Sequence, residues 1–188
     1  MKHHYKYQDG WRAGENVQFY ENGQVLQSSV FSNQETKEER KEYDSDGRIV
    51  ASKNFLNKKP EGQWAYYFEN GKEKRTENYL KGKLNGKVRD YYENGQVKTE
   101  ITYQNDLIVD VYKEYYKNGS VKSETSYKFG RKQGDFQELF ENQQVKIKGK
   151  FAGNKKVENW LYYDKNGQLI KTETYQNNEL INTQYENR

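Results

Sequence analysis

The stretch Tyr91-Tyr92-Glu93-Asn94-Gly95-Gln96-Val97-Lys98-Thr99-Glu100-Ile101-Thr102-Tyr103 reads as one β-hairpin. An aromatic pair ends the first strand, Asn-Gly supplies a tight turn, and alternating residues run out to a closing tyrosine. Asn94-Gly95 predicts a two-residue type I′ turn, in which both central residues take φ > 0.

The rest of the chain repeats this hairpin. Steps of 24 residues from Gly95 land on Gly23, Gly47, Gly71, Gly119, Gln143 and Gly167 with no insertion. The preceding residue is always Asn or Asp: Asn22, Asp46, Asn70, Asn94, Asn118, Asn142 and Asn166. Eight residues after each mark stand Phe31, Phe55, Tyr79, Tyr103, Tyr127, Phe151 and Tyr175. Aromatics make up 15% of the chain, so this recurrence is positional rather than compositional. A fixed period of this length marks a repeat architecture. The expected fold is all-β: about seven 24-residue hairpin units in an extended antiparallel meander or solenoid-like sheet.

Composition tests that expectation. Leu, Ile, Val and Phe number 34 of 188 residues, a share at which disorder competes with folding. The net charge of only +4, and the 18 Tyr, 8 Phe and 3 Trp that carry the apolar role, argue for a folded chain. A single proline leaves the strands unbroken. Cysteine is absent, which removes disulfides and thiolate metal sites. Lys and Arg are spread along the chain, so no nucleic-acid footprint is expected. Apolar runs are too short to cross a membrane as a helix. Met1 to Tyr7 lack the apolar centre of a leader peptide. Localisation stays open: the expectation is the cytoplasm if the sequence is complete, and an exported surface protein if a leader precedes it.

In chain order, residues 1–14 form a half repeat, since Tyr7-Gln8-Asp9-Gly10-Trp11-Arg12-Ala13-Gly14 aligns with Tyr79-Leu80-Lys81-Gly82-Lys83-Leu84-Asn85-Gly86. Seven units follow, turning at 23, 47, 71, 95, 119, 143 and 167. A polar terminal cap begins near 176 and runs to 188, and the whole is expected to be one domain. The polar segment Ser32 to Arg40 is expected to be a repeat connection rather than a helix. Gln143 replaces the turn glycine, and its cost at positive φ predicts a change of turn type there.

A two-residue turn sets the faces. It pairs Tyr20 with Val25, Tyr92 with Val97, Tyr116 with Val121 and Phe140 with Val145, on the same face as Trp64, Val88, Tyr112, Phe136 and Trp160. This face, with the closing aromatics lying over cross-strand glycines such as Gly86, is the expected core. The other face carries Tyr67, Tyr91, Tyr115 and Tyr163 with lysine partners Lys74, Lys98 and Lys122. That tyrosine strip is either a half-exposed structural ladder or a partner-binding surface, because tyrosine offers rigid amphipathic contact area. A shifted turn register would exchange the two faces.

The pattern Gly62-Gln63-Trp64-Ala65-Tyr66-Tyr67-Phe68-Glu69-Asn70-Gly71, with strands like Val97-Lys98-Thr99-Glu100 and turns like Gly82-Lys83-Leu84-Asn85-Gly86, resembles the MORN repeat variant of YwqK-type antitoxins. The resemblance implies strings of β-hairpins and a protein partner, in the antitoxin case a toxin. It also implies alternatives: an exported surface or host-interaction protein, or a binder of membrane lipid or glycan. It transfers no catalytic residue. Choline-binding repeats also mix Trp, Tyr-Tyr and Asn-Gly, but they need a regular Gly-Trp, and of Trp11, Trp64 and Trp160 only the last two share a register.

The chemistry is sparse. The only histidines are His3 and His4, so nucleophile–base pairs and histidine-bearing zinc sites are absent. Carboxylates such as Glu100 and Glu124 recur at one register opposite lysines, the pattern of solvated strand positions rather than a glycosidase pair. The expectation is a non-enzymatic binding protein with no cofactor and no metal.

Overall fold

The computed structural model describes residues 2–186. Strands and turns account for the chain, and no helix occurs among the described residues. Two compact units, Met1–Gly95 and Gln96–Arg188, are taken in turn.

In the first unit, Gly14–Phe19, Val25–Ser32, Lys37–Tyr43, Ile49–Leu56, Gly62–Tyr67, Glu73–Leu80 and Gly86–Tyr91 pair in sequence order, each antiparallel to the next. Lys2–His4 adds to the outer edge beside Gly14–Phe19. Tyr7–Gln8 and Trp11–Arg12 form a small hairpin of their own. Asp9 and Gly10 both take positive φ, as Lys81 and Gly82 do, so the half repeat has the geometry of a whole one. The Ser32–Arg40 segment is a hairpin connection, with Ser32 opposite Lys37.

In the second unit, Val97–Gln104, Leu107–Tyr115, Val121–Lys128, Arg131–Leu139, Val145–Ala152, Lys155–Tyr163, Leu169–Gln176 and Glu179–Tyr185 pair in the same consecutive way. The terminal cap is thus a paired strand; its last two residues, 187 and 188, lie outside the described residues.

The Asn-Gly turns do not have the expected type I′ geometry. At Asn22-Gly23, Gly23 N–H donates to Tyr20 O (3.1 Å), Tyr20 N–H donates to Gln24 O (2.8 Å), and only Gly23 has positive φ (88°). This is a three-residue loop, a type I turn closed by a glycine bulge, not type I′. Asparagine serves through its side chain instead. Asn22, Asn70, Asn118 and Asn142 each accept, at Oδ1, the N–H two residues on. Such a bond stabilises a turn without asking the residue for φ > 0. The type I′ geometry lies at the opposite ends of the strands. Lys81-Gly82, Asn105-Asp106 and Phe129-Gly130 have positive φ at both positions, and they close two-residue loops.

Gln143 does not change its turn. It takes φ 66°, and Phe140 N–H still donates to Gln144 O (2.8 Å). Its side-chain Nε2 donates to Val121 O (3.0 Å), a bond that glycine could not make and that offsets the backbone cost.

The extra loop residue moves the register by one. Tyr67 pairs with Glu73, Tyr115 with Val121 and Tyr163 with Leu169, and a bulge follows in each hairpin. Val25, Val121 and Val145 therefore oppose Phe19, Tyr115 and Leu139 rather than Tyr20, Tyr116 and Phe140. A one-residue slip is enough to carry a side chain to the other face.

The ring face remains the core. Val88 and Trp160 are 1% and 3% exposed, and Phe55, Trp64 and Tyr79 pack at centroid separations of 5.0 and 4.8 Å. In the second unit Phe136, Phe151 and Trp160 pack at 5.1–5.8 Å, with Tyr175 at 6.2 Å from Trp160. Closing aromatics lie opposite glycines at Gly14–Phe31, Gly62–Tyr79 and Gly134–Phe151, as expected. The reason is backbone rather than space, since a Cβ at Gly14 or Gly62 would meet nothing within 4 Å. Gly14, Gly62, Gly86 and Gly134 all have positive φ, and Asp110 (65°) and Glu158 (60°) adopt it in place of glycine, whereas Glu38 at the same position of the second hairpin does not.

Neighbouring repeats are also tied at their ends. Gly82 N–H donates to Pro60 O, Gly130 to Ile108 O, Asn154 to Lys132 O and Asn178 to Lys156 O, all at 2.8–2.9 Å. Each type I′ turn is thereby pinned to the strand that leaves the previous one.

Candidate functional site

The tyrosines singled out in the sequence stand at equivalent strand ends and are half-buried: Tyr67 and Tyr91 in the first unit, Tyr115 and Tyr163 in the second. At Tyr91 the hydroxyl meets the neighbouring repeat. Tyr91 Oη lies 3.4 Å from Thr76 Oγ1 of the preceding repeat, and Tyr43 Oη makes the equivalent contact with Ser28 Oγ at 3.3 Å. Burial, then the nearby Glu73 carboxylate, raises the Tyr67 phenol above its ordinary value. At Tyr43 and Tyr91 the ring thus has an apolar body and a polar tip held against the neighbouring repeat.

Lys74 and Lys122 do not join them as cross-strand partners. Lys74 Nζ sits 6.0 Å from the Phe68 ring. Lys122 Nζ lies 3.6 Å from Glu114, whose carboxylate accepts from Tyr112 on the ring face. Lys98, exposed, occupies the same position after its turn. The bulge explains the separation: the lysine is the extra residue, so its side chain leaves the tyrosine face. Beside the tyrosines the structure places Val121 and Leu169, with the Lys113–Glu124 ion pair (2.7 Å) one position away.

A second constellation escaped sequence reading. In the first unit Glu77, 8% exposed, accepts from Tyr66 Oη (3.3 Å), Tyr79 Oη (2.9 Å) and Arg75 Nε (2.7 Å). In the second unit Glu173 accepts from Tyr162, Tyr175 and Lys171 in the same register. Burial works to raise the Glu173 carboxyl, but hydrogen bonds from Lys171, Tyr162 and Tyr175 prevail and hold it at about 2. Burial and the Glu77 charge push the Tyr66 phenol up to about 12. Lys156 caps the second cluster, with Nζ 4.1 Å from the Trp160 ring and 4.6 Å from Tyr175; desolvation lowers its pKa. Two glutamates 96 residues apart, each flanked by tyrosines at equal offsets, were the available signal. These groups satisfy one another, so the clusters read as polar struts of the ring face.

Repetition, turn chemistry and a ring face shared between hairpins define the class: an all-β hairpin-repeat protein. Four segments, 12–33, 84–105, 111–129 and 159–177, match the family described as MORN repeat variant. Each of them holds one Asn-Gly turn with residues of both flanking strands. No curated protein matches the chain. Among solved structures, a crystal structure of S. aureus TarM in complex with Fondaparinux, alpha-GlcNAc-glycerol and UDP is similar at 15% identity and a TM-score of 0.39. The likeness covers 51% of this chain and 19% of that one, and it carries no functional argument.

Proposed function

We propose that the protein is a non-enzymatic repeat scaffold that binds another protein through its tyrosine face. MORN repeats commonly serve as protein- or lipid-binding modules. The observation that carries the reading is the recurrence of half-buried tyrosines at equivalent strand ends, with the Tyr91 hydroxyl held against Thr76 of the neighbouring repeat. A ring held in place gives contact area without much loss of side-chain freedom on binding. Aliphatic neighbours such as Val121 and Leu169 make that face more apolar than the lysine pairing would have done.

The partner proposed is a toxin, with this chain as its antitoxin; that choice rests on the resemblance to YwqK-type antitoxins. An exported surface role or a lipid or glycan ligand is the alternative. The experiment is a pull-down with the wild type and with a Tyr67→Ser, Tyr91→Ser, Tyr115→Ser triple variant shown to be folded by circular dichroism. Loss of one captured protein in the variant supports the tyrosine face. Equal capture refutes it, and binding to anionic vesicles in place of protein turns the reading toward lipid.

A further inference from the structure

The ring face is interrupted in one place. Seven residues before the turn, later hairpins put Trp64, Val88, Tyr112, Phe136 or Trp160, but the first two hairpins put Asn16 and Arg40. Neither fills the space of a packed ring. Asn16 is turned aside: its Oδ1 accepts Lys6 N–H (3.0 Å), and its Nδ2 donates to Gly14 O (3.1 Å). The Lys6 bond ties the N-terminal segment, which carries Tyr5, to Asn16. What remains is a cavity of about 360 Å³, lined by Tyr5, Arg12, Ser29, Phe31, Arg40 and Phe55 among others. Its volume is at the small end of the range for organic ligands.

The charges inside are uneven. Arg40 Nε donates to Glu38 Oε1 (2.8 Å), the same oxygen accepts Ser29 Oγ (2.8 Å), and the Arg40 guanidinium lies 4.6 Å from the Phe55 ring centre. Glu38 is thereby compensated. Glu35 accepts the backbone N–H of Arg12. The half-buried Arg12 guanidinium lies 4.7 Å from the Tyr5 ring centre and 5.7 Å from Phe31, yet no described carboxylate or carbonyl accepts from its N–H groups. Lys58 adds a further cation to the lining. An arginine stacked on rings with its donors open is suited to a planar or tetrahedral oxyanion.

We propose that this cavity binds a small organic anion: a carboxylate or phosphate carried on a flat apolar body. Arg12 takes the anionic group, and Phe31 and Phe55 flank the body. Tyr5 closes over the site, held by the Lys6–Asn16 bond.

The test uses the full chain and phenyl phosphate as probe, followed by calorimetry and by the arginine Nε–H signals in nuclear magnetic resonance. Saturable binding that shifts the Arg12 signal is expected, with inorganic phosphate weaker by about tenfold because it lacks the ring. Arg12→Gln, shown to be folded by circular dichroism, is expected to weaken the probe by about tenfold or more. If Arg12→Gln does not fold, Arg12→Lys keeps the charge without the fork and is expected to weaken the probe as well. No saturation at millimolar phenyl phosphate, equal affinity in the arginine variant, or equal affinity for inorganic phosphate overturns the proposal.

Discussion

Gly149 lies against the indole of Trp160 so closely that a Cβ on the glycine would fall 2.4 Å from the ring. Gly149 has no unusual φ; it is glycine for space. The absent side chain lets Trp160 settle to 3% exposure between Phe136 and Phe151. Gly149→Ala is therefore expected to destabilise the second unit by about 1–3 kcal/mol, the range for overpacking a filled core. Urea unfolding followed by tryptophan fluorescence measures it, and an unchanged midpoint would show that the ring can move aside.

Glu158 sits at the positive-φ position where other hairpins have glycine, with φ 60°. Its ion pair with Lys150 (3.2 Å) is more than half exposed on both sides and contributes little. Glu158→Gly is expected to raise stability by about 1 kcal/mol through relief of left-handed strain. A fall in the unfolding midpoint would show that chain entropy outweighs the strain.

Gln143 combines positive φ with a side-chain bond to Val121 O. The two effects separate by substitution. Gln143→Ala keeps the strain and loses the bond, and is expected to cost about 1 kcal/mol. Gln143→Gly loses both and is expected to change stability by less than about 0.5 kcal/mol. Equal losses in thermal melts of the two variants would contradict this account.

Glu173 sets a pH dependence. Its folded carboxyl is held at about 2, below the ordinary 4.5, so the ionised form is the one stabilised by folding. That stabilisation is complete above about pH 4.5 and drains away as pH falls through about 2. Melting temperature is expected to drop more steeply between these limits in the wild type than in Glu173→Gln. Parallel curves would remove Glu173 from the acid response.

Residue order alone was enough to read the repeat, its strict period, the all-β class and the ring face. Those features follow from local rules: side chains alternate along a strand, and turns need a small set of residues. Trp64, Val88, Phe136 and Trp160 could be placed inward because each recurs at one offset from a turn. The pairing of Tyr67, Tyr91 and Tyr115 with lysines could not be placed so securely. It depended on whether Asn-Gly closed a loop of two residues or three, and both loops are compatible with that dipeptide. The structure settles it through the Gly23–Tyr20 bond and the bulge after Tyr115, which turn Lys122 to the opposite face. The cavity beside Arg12 was hidden for a related reason. Asn16 and Arg40 are visible as departures from the ring pattern, but whether a missing ring leaves a space or is filled by a neighbour depends on three-dimensional packing. Here Asn16 bonds to the N-terminal segment, Arg40 turns to Glu38, and the space stays open.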